Sequence, residues 1–344
     1  MASVDRRTRL PRRTGTVLAL ALCLAAASLA WLGQQAVTPL TLTTPASLEI
    51  APGDTLATVL RRLAESGQVK HPRAIRTWAR LTGRGDRIIV GEYVITPGTT
   101  ASGLLSDFAA GRVRQHTVRL LEGGTFRDAL AALWASPVLT PTLRGRDEAD
   151  IMAALGSPGL AAEGWFLPDT YFVTRGQSDL DVLRRSHAAM RTKLDTLWQA
   201  RRPDSPTSVT QALTLASLVE KETARADERP LVAAVLLNRL RMGMPLQIDS
   251  TVIYGLGARF DGNLTRRDLL TPTPHNTYTH RGLPPTPIAL PSAASLQAVM
   301  RPAAVNYLYF VARGDGSHAF SRTLAEHNQA VDCYQRQQAR RCPS

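Results

Sequence analysis

The chain has 344 residues, more than one compact domain usually holds, so two folded units with additional segments are expected. Hydrophobic residues make up 44% and charged ones 20%, a globular balance that excludes wholesale disorder. The formal net charge of +13 would suit a nucleic-acid partner if the cations were clustered; most are scattered among acids, so nucleic acid is set aside in favour of a cationic surface facing anionic lipid or cell-wall carboxylates.

Five arginines break that scatter. Arg6, Arg7, Arg9, Arg12 and Arg13 form a basic tail over residues 1–14, directly before the uncharged run GTVLALALCLAAASLAWLG. As a helix those 19 residues span about 28 Å, close to the hydrocarbon thickness of a bilayer, so residues 15–34 are expected to cross a membrane. The arginines place the N terminus in the cytoplasm and Trp31 near the outer interface. AAASLA supplies small residues of the kind a signal peptidase accepts, so a cleaved signal peptide is the competing reading. Both export the rest of the chain.

Residues 35–46 carry Pro39 and Pro45 without periodicity and read as an extended linker. A first module over residues 47–117 opens with LEIAPGDTLATVLRRLAESG: a strand, a turn at Pro52-Gly53-Asp54, and an amphipathic helix with Leu56, Val59, Leu60 and Leu63 on one face. RIIVGEYVITPG is strand-rich and ASGLLSDFAAG a short helix. The strand–turn–helix pattern restarts in TVRLLEGGTFRDALAALW, which marks the start of a second domain over residues 118–340. There EGWFLPDTYFV reads as loop and strand, and DLDVLRRSHAAMRTKLDTLWQA, SVTQALTLASLVEKETA and ERPLVAAVLLNRLRMG as helices. Of the three cysteines, Cys23 lies in the apolar run; Cys333 and Cys342 could join in an oxidising compartment, yet residues nine apart on a straight helix are too distant, so that bridge stays open.

On the helix through LTLASLVEKETA, the neighbours of Glu220 are Ala216, Ser217, Thr223 and Ala224, while Leu215, Leu218 and Val219 can pack inward. A carboxylate amid small side chains leaves room for a bulky substrate and points to proton transfer. The bland reading makes Glu220, Lys221 and Glu222 a solvated helix end. Glu222, two positions on, falls on a different helix face. His318, Glu326 and His327 form a His/Glu set that reads as polar packing or loop hydrogen bonds; no metal site is expected.

LASLVEKET, ERPLVAAVLLNRL with MPLQIDSTVIYGLG, HNTYTHRGLPPTPI and YLYFVARGDGSHAFSRTLAEHNQAV, in that order, resemble the motifs of the YceG-like endolytic murein transglycosylases, the MltG family. The likeness extends through EGWFLPDTY and GEYVITPG to cover about Leu48 to Val331. It implies an α+β fold: an N-terminal single transmembrane helix, a small LysM-like α/β module, and a larger mixed α+β catalytic domain whose catalytic Glu220 sits on a helix. By the same resemblance, Glu163 and Asp169 fall in the EG…PDTY segment, Ser217 beside the catalytic Glu, Gln247, Asp249 and Thr251 in the LQ-D-T segment, and Asn276, Thr277 and Tyr278 in the NTY segment. All nine are substrate-binding candidates, each with a structural alternative as a cap, turn or core residue. Thr273, His275, Thr286 and Arg301 depart from the family pattern.

The implied reaction is cleavage of the MurNAc–GlcNAc bond of nascent peptidoglycan glycan strands without water. One glutamate protonates the bridging oxygen and then takes the proton of the muramoyl C6 hydroxyl, which closes on C1 and leaves a 1,6-anhydro end. No metal or organic cofactor is implied. The partners implied are glycan strands, the cell inner membrane and peptidoglycan synthases, with the catalytic domain periplasmic and the enzyme ending glycan elongation. A non-catalytic glycan-binding scaffold and a cytoplasmic, pyridoxal-phosphate-dependent lyase are the alternatives.

Overall fold

The structure, a computed structural model, describes residues 12–85 and 87–336. The tail before residue 12 and Cys342 lie outside the described residues. The first helix, α1 (Arg12–Val37), contains the segment Thr16–Val37, long and apolar enough to cross a membrane; its mean hydropathy reaches 2.1 over 18 residues, none of them buried. The chain divides into two compact units, residues 1–116 with 174–176, and residues 117–173 with 177–344.

In the first unit β1 (Ala46–Ile50), α2 (Leu56–Glu65), α3 (Pro72–Leu81), β2 (Gly91–Ile95) and α4 (Ala101–Ala110) follow in order. β1 and β2 pair antiparallel with Leu48 opposite Tyr93. α2 starts where the Thr55 hydroxyl accepts from the Thr58 N–H, and it buries Leu56, Val59, Leu60 and Leu63, the apolar stripe its spacing dictates. α3 has no counterpart among the sequence expectations: arginines interrupt PRAIRTWARL, and only Ala74, Ile75 and Ala79 are buried. Its register rests on Pro72 at the first turn, where the missing N–H costs nothing.

The segment expected to be an extended linker is instead held to this unit. α1 continues to Val37, Ala36 and Leu40 are buried, and the N–H groups of Leu40 and Thr41 donate to the carbonyls of Thr99 and Gln68 at 2.8 and 3.0 Å. Buried Glu92 accepts from Ser47 Oγ (2.7 Å), Arg114 Nη1 (3.1 Å) and Arg175 Nε (3.2 Å), with His116 Nε2 at 2.9 Å. The Ser47 hydrogen bond, joined by those of His116 and Arg175, overcomes desolvation and holds this carboxyl down at about 2.

In the second unit come β3 (His116–Arg119), α5 (Phe126–Ala135), α6 (Glu148–Ala154), β4 (Thr170–Val173), α7 (Asp179–Gln199), α8 (Val209–Glu222), α9 (Arg229–Arg241), α10 (Asp249–Leu256), α11 (Arg266–Leu270), α12 (Ala293–Met300), β5 (Tyr309–Ala312), β6 (His318–Ser321) and α13 (Leu324–Tyr334). β3 pairs with β4, and β5 with β6 as an antiparallel hairpin. The core lies around α8 and α9: every residue of 212–219 and of 232–239 is buried, as befits helices surrounded on all sides. α9, α10 and α12 pack on α8, α7 on α12, and β5 on α9 and α13. The start of α7 is pinned by fully buried Asp179, which accepts from Thr142 N and Oγ1 (2.8 and 2.7 Å), Leu143 N (3.1 Å) and Trp134 Nε1 (3.1 Å). Cys333, on α13, is disulfide-bonded.

Candidate active site

Two glutamates close α8. Because successive helical residues turn by about 100°, Glu220 and Glu222 point roughly 200° apart around the axis. Glu220 faces α12. Its Oε2 accepts from the Ser292 N–H (2.9 Å), the Ser292 hydroxyl (2.5 Å) and the Ser295 hydroxyl (2.7 Å), while Arg229 Nη2 lies 3.7 Å from Oε1. Ser292 is the N-cap of α12, so this carboxylate meets the electropositive end of a helix and ties α8 to it. The Glu220 side chain is only 6% exposed, so little of it meets solvent.

The small residues beside Glu220 were expected to make room for substrate. Two of them serve packing instead: Ala216 and Ser217 are fully buried beside α12, whereas Thr223 is buried with its hydroxyl donating to Glu228 and Ala224 is exposed. Ser217 Oγ donates to Thr214 O (2.7 Å) and accepts from Ile288 N (3.1 Å), which makes it a fastener between α8 and the segment before α12.

Glu222 opens onto a polar cavity of about 500 Å³, lined also by Gln247, Asp249, Tyr278, Arg239, His318 and His327. Burial, reinforced by the negative charge of Asp249, pushes its carboxyl up to about 7; a weak contact from Ser250 Oγ (3.4 Å) and the His318 ring oppose the shift. A carboxyl that exchanges its proton near neutrality is suited to act as both acid and base. Across the cavity Tyr278 donates its hydroxyl to Asp249 Oδ1 (2.6 Å); burial and this acceptor raise the phenol above its ordinary range. Gln247, with φ +54°, is the single positive-φ non-glycine among the described residues, a left-handed backbone that costs energy and so marks a constrained loop.

Three predicted binding residues stand behind this wall. Thr251 Oγ1 and Thr277 Oγ1 are 2.9 Å apart; Thr277 Oγ1 accepts from Ile248 N (3.0 Å), and Thr251 Oγ1 donates to Ile248 O (2.6 Å). Asn276, fully buried, donates to Leu269 O (3.0 Å) and Thr271 O (2.8 Å) and accepts from Tyr278 N (2.8 Å). They fix the segments that present Gln247, Tyr278 and, at the start of α10, Asp249.

Glu163 and Asp169 lie outside the cavity wall. Glu163 is buried, accepting from Phe126 N (3.0 Å) and Tyr254 Oη (3.2 Å), and desolvation raises its carboxyl to about 7. Asp169 is exposed and accepts from the neighbouring Thr170 N–H (2.6 Å). Two departures from the family pattern meet: His275 Nε2 is 2.9 Å from Thr286 Oγ1. Glu326 closes a capping box on α13. His318 belongs to the cavity, and its partner Glu228 carried no sequence signal: Glu228 Oε1 accepts from His318 N (2.8 Å) and Oε2 lies 2.6 Å from Nδ1.

Fold and site together define an α+β protein with a neutral-range carboxyl set in a polar cavity at the end of its central helix. The chain belongs to the YceG-like family, whose sequence model matches residues 48–333. It is 35% identical over 172 residues to an endolytic murein transglycosylase of Bacillus subtilis (strain 168), covering 50% of this chain and 48% of that protein. To the endolytic murein transglycosylase of Streptococcus pneumoniae serotype 2 (strain D39 / NCTC 7466) it is 30% identical over 174 residues, 49% of this chain and 31% of the relative. The chain thus spans about half the length of the first relative and about a third of the second. A crystal structure of a YceG-like protein from Listeria monocytogenes superposes with a TM-score of 0.48 at 24% identity, over 83% of this chain and 98% of that one.

Proposed function

We propose that this protein is a membrane-anchored endolytic lytic transglycosylase of peptidoglycan and that Glu222, rather than Glu220, is its proton-transfer residue. The observation that carries the assignment is the Glu222 carboxyl, raised to about 7 in a cavity whose other polar walls are Gln247, Asp249 and Tyr278. The resemblance placed the catalytic role on Glu220, two residues before Glu222 in the EKE segment. Glu220 spends its carboxylate on Ser292, Ser295 and Arg229, which suits a residue that shapes the site, whereas Glu222 meets the space a substrate would enter. The names of the relatives supply the substrate, murein.

In this reading Glu222 delivers a proton to the oxygen bridging N-acetylmuramic acid and N-acetylglucosamine. The muramoyl C6 hydroxyl attacks C1, and the strand acquires a 1,6-anhydro end. Asp249 and Tyr278 offer an acceptor and a donor for sugar hydroxyl and acetamido groups, while Gln247 presents an amide from a constrained backbone. Acid–base catalysis of this kind contributes roughly 10²–10⁴-fold, so the cavity walls must also orient the sugar. α1 supplies the anchor, with the catalytic unit on the periplasmic side of the inner membrane, and the first unit is the LysM-like module. Position near the membrane brings the cavity to newly made strands, and cutting there would end their elongation.

The pairing of Glu222 with Asp249 in one cavity also favours a second reading, hydrolysis by two carboxylates. Digesting defined glycan strands and weighing the products separates the two, because hydrolysis adds one water and leaves a reducing end. Anhydro-ended fragments from the wild type and none from Glu222→Gln are expected, with Glu220→Gln still cleaving while folded. Wild-type turnover by Glu222→Gln would overturn the assignment.

A further inference from the structure

The cavity that holds Glu222 also holds a buried cation. Arg239, in the last turn of α9, is 9% exposed and lines the cavity with Gln247 and Asp249. Its Nε donates to Leu308 O at 2.6 Å, and Nη1 donates to Leu246 O at 2.8 Å and, more weakly, to Pro245 O at 3.4 Å. The guanidinium also sits over the Tyr309 ring, with Cζ 5.1 Å from its centroid. A guanidinium carries five N–H donors in one rigid plane, so three are committed and the two on Nη2 have no hydrogen-bond partner among the described residues. Among those residues no carboxylate lies within 4.0 Å of it either, although Glu222 and Asp249 share the cavity.

Main-chain carbonyls and an aromatic face fix this side chain in place but leave its full charge unneutralised. Burial lowers its pKa, opposed by the phenols of Tyr309 and Tyr278, yet a guanidinium stays ionised throughout the physiological range. A buried charge that meets no anion destabilises the fold. An anion entering the cavity therefore finds an uncompensated charge and a pair of donors already oriented.

On the transglycosylase reading, the chemistry of murein narrows what that anion is. Sugar hydroxyl and acetamido groups are neutral. The acidic groups lie on the lactyl arm, which leaves the muramoyl ring at C3, two ring positions from the C1 that is cut. They are the lactyl carboxylate itself where the strand is bare, or the carboxylates of the peptide joined to it. C1 at Glu222 and such a carboxylate at Arg239 require one ligand lying across one cavity of about 500 Å³.

We propose that Arg239 is a substrate-binding residue whose Nη2 donors take a carboxylate carried on the lactyl arm of the muramoyl residue being cut. The enzyme thereby favours acid-bearing murein over neutral strands with the same linkage. Arg239 takes no part in proton transfer, which stays with Glu222.

The test uses full-length protein in detergent and four substrates: peptide-bearing strands and peptide-free strands, each native or with its carboxyls converted to methylamides. Methylamidation should raise the wild-type KM about 10–100-fold with little change in kcat, because a carboxylate remote from the breaking bond is held equally in the ground and transition states. A rise confined to peptide-bearing strands assigns the contact to the peptide, and a rise on peptide-free strands assigns it to the lactyl carboxylate. Arg239→Gln should bring the ratio of amidated to native KM close to one. That ratio cancels general damage to the site, so a folded variant that keeps the wild-type ratio overturns the proposal. If Arg239→Gln does not fold, Arg239→Lys decides: an ammonium cannot match both carboxylate oxygens, so its ratio should fall severalfold, and an unchanged ratio is fatal. Wild-type cleavage of all four substrates with equal KM overturns the subsite alone. A wild type that releases no anhydro ends from any of them refutes the transglycosylase reading, and this proposal with it.

Discussion

Replacing Glu222 by Gln should remove activity and, at neutral pH and above, make the protein more stable. Folding raises this carboxyl from 4.5 to about 7, so the folded state favours the protonated form. Its favourable contribution is therefore complete below about pH 4.5 and lost as pH rises through about 7. At pH 8 the wild type holds an ionised carboxylate that the unfolded chain would solvate better, a cost of roughly 3 kcal/mol by linkage, taken as about 2 because the cavity admits some water. Glutamine keeps the shape without titrating. At 2–4 °C per kcal/mol, Glu222→Gln should melt about 4–8 °C above wild type at pH 8, and the gain should shrink to a degree or two at pH 5. Thermal melts of both full-length proteins in one detergent, at half-unit pH steps, measure the difference. A Tm gap that is constant across pH would refute the placement of this titrating group, and a lower Tm at pH 8 would refute the energetics.

Glu220→Ala should act in the opposite sense, leaving the donors of Ser292 and Ser295 without an acceptor and costing about 3–5 kcal/mol; urea unfolding of the full-length chain measures it, and a change below about 1 kcal/mol would mean the contacts to α12 are dispensable. Gly164→Ala should destabilise by about 1–3 kcal/mol or more, because φ is +84° and an added Cβ would stand 2.6 Å from Pro287; unchanged melting would show that this loop can move aside. On long strands labelled at one end, early products should be anhydro-ended fragments of intermediate length, and exclusive early release of disaccharides would exclude endolytic cutting. Removing α1 should keep that cleavage pattern in vitro while weakening the effect on strand length in cells; an altered pattern in vitro would show that the anchor shapes the site.

The elements with strong periodicity were legible in the residues. The apolar run of α1, the Leu56/Val59/Leu60/Leu63 stripe of α2 and the Leu213, Leu215, Leu218 and Val219 positions of α8 are local signals, since 3.6 residues per turn converts spacing directly into a face. α3 was hidden because arginines cover a short apolar stripe, and residues 35–46 read as a linker because Leu40 and Thr41 depend on partners at Thr99 and Gln68, far along the chain.

The site divides in the same way. The resemblance gave Gln247, Asp249 and Tyr278 as substrate-binding candidates and Glu220 as the catalytic residue; the structure gathers the first three around one cavity with Glu222. Which glutamate of α8 meets that cavity was a tertiary matter. Helical spacing puts Glu220 and Glu222 on different faces, but it does not say which face meets a cavity and which meets another helix. α12, some seventy residues further on, brings its N-terminal serines to Glu220 and occupies the space that small neighbours left open. Burial of Glu222, reinforced by the charge of Asp249 at the start of α10, raises its carboxyl into the range where a proton can be given and taken back. Local sequence determines directions from a helix axis; only long-range packing decides what lies along them.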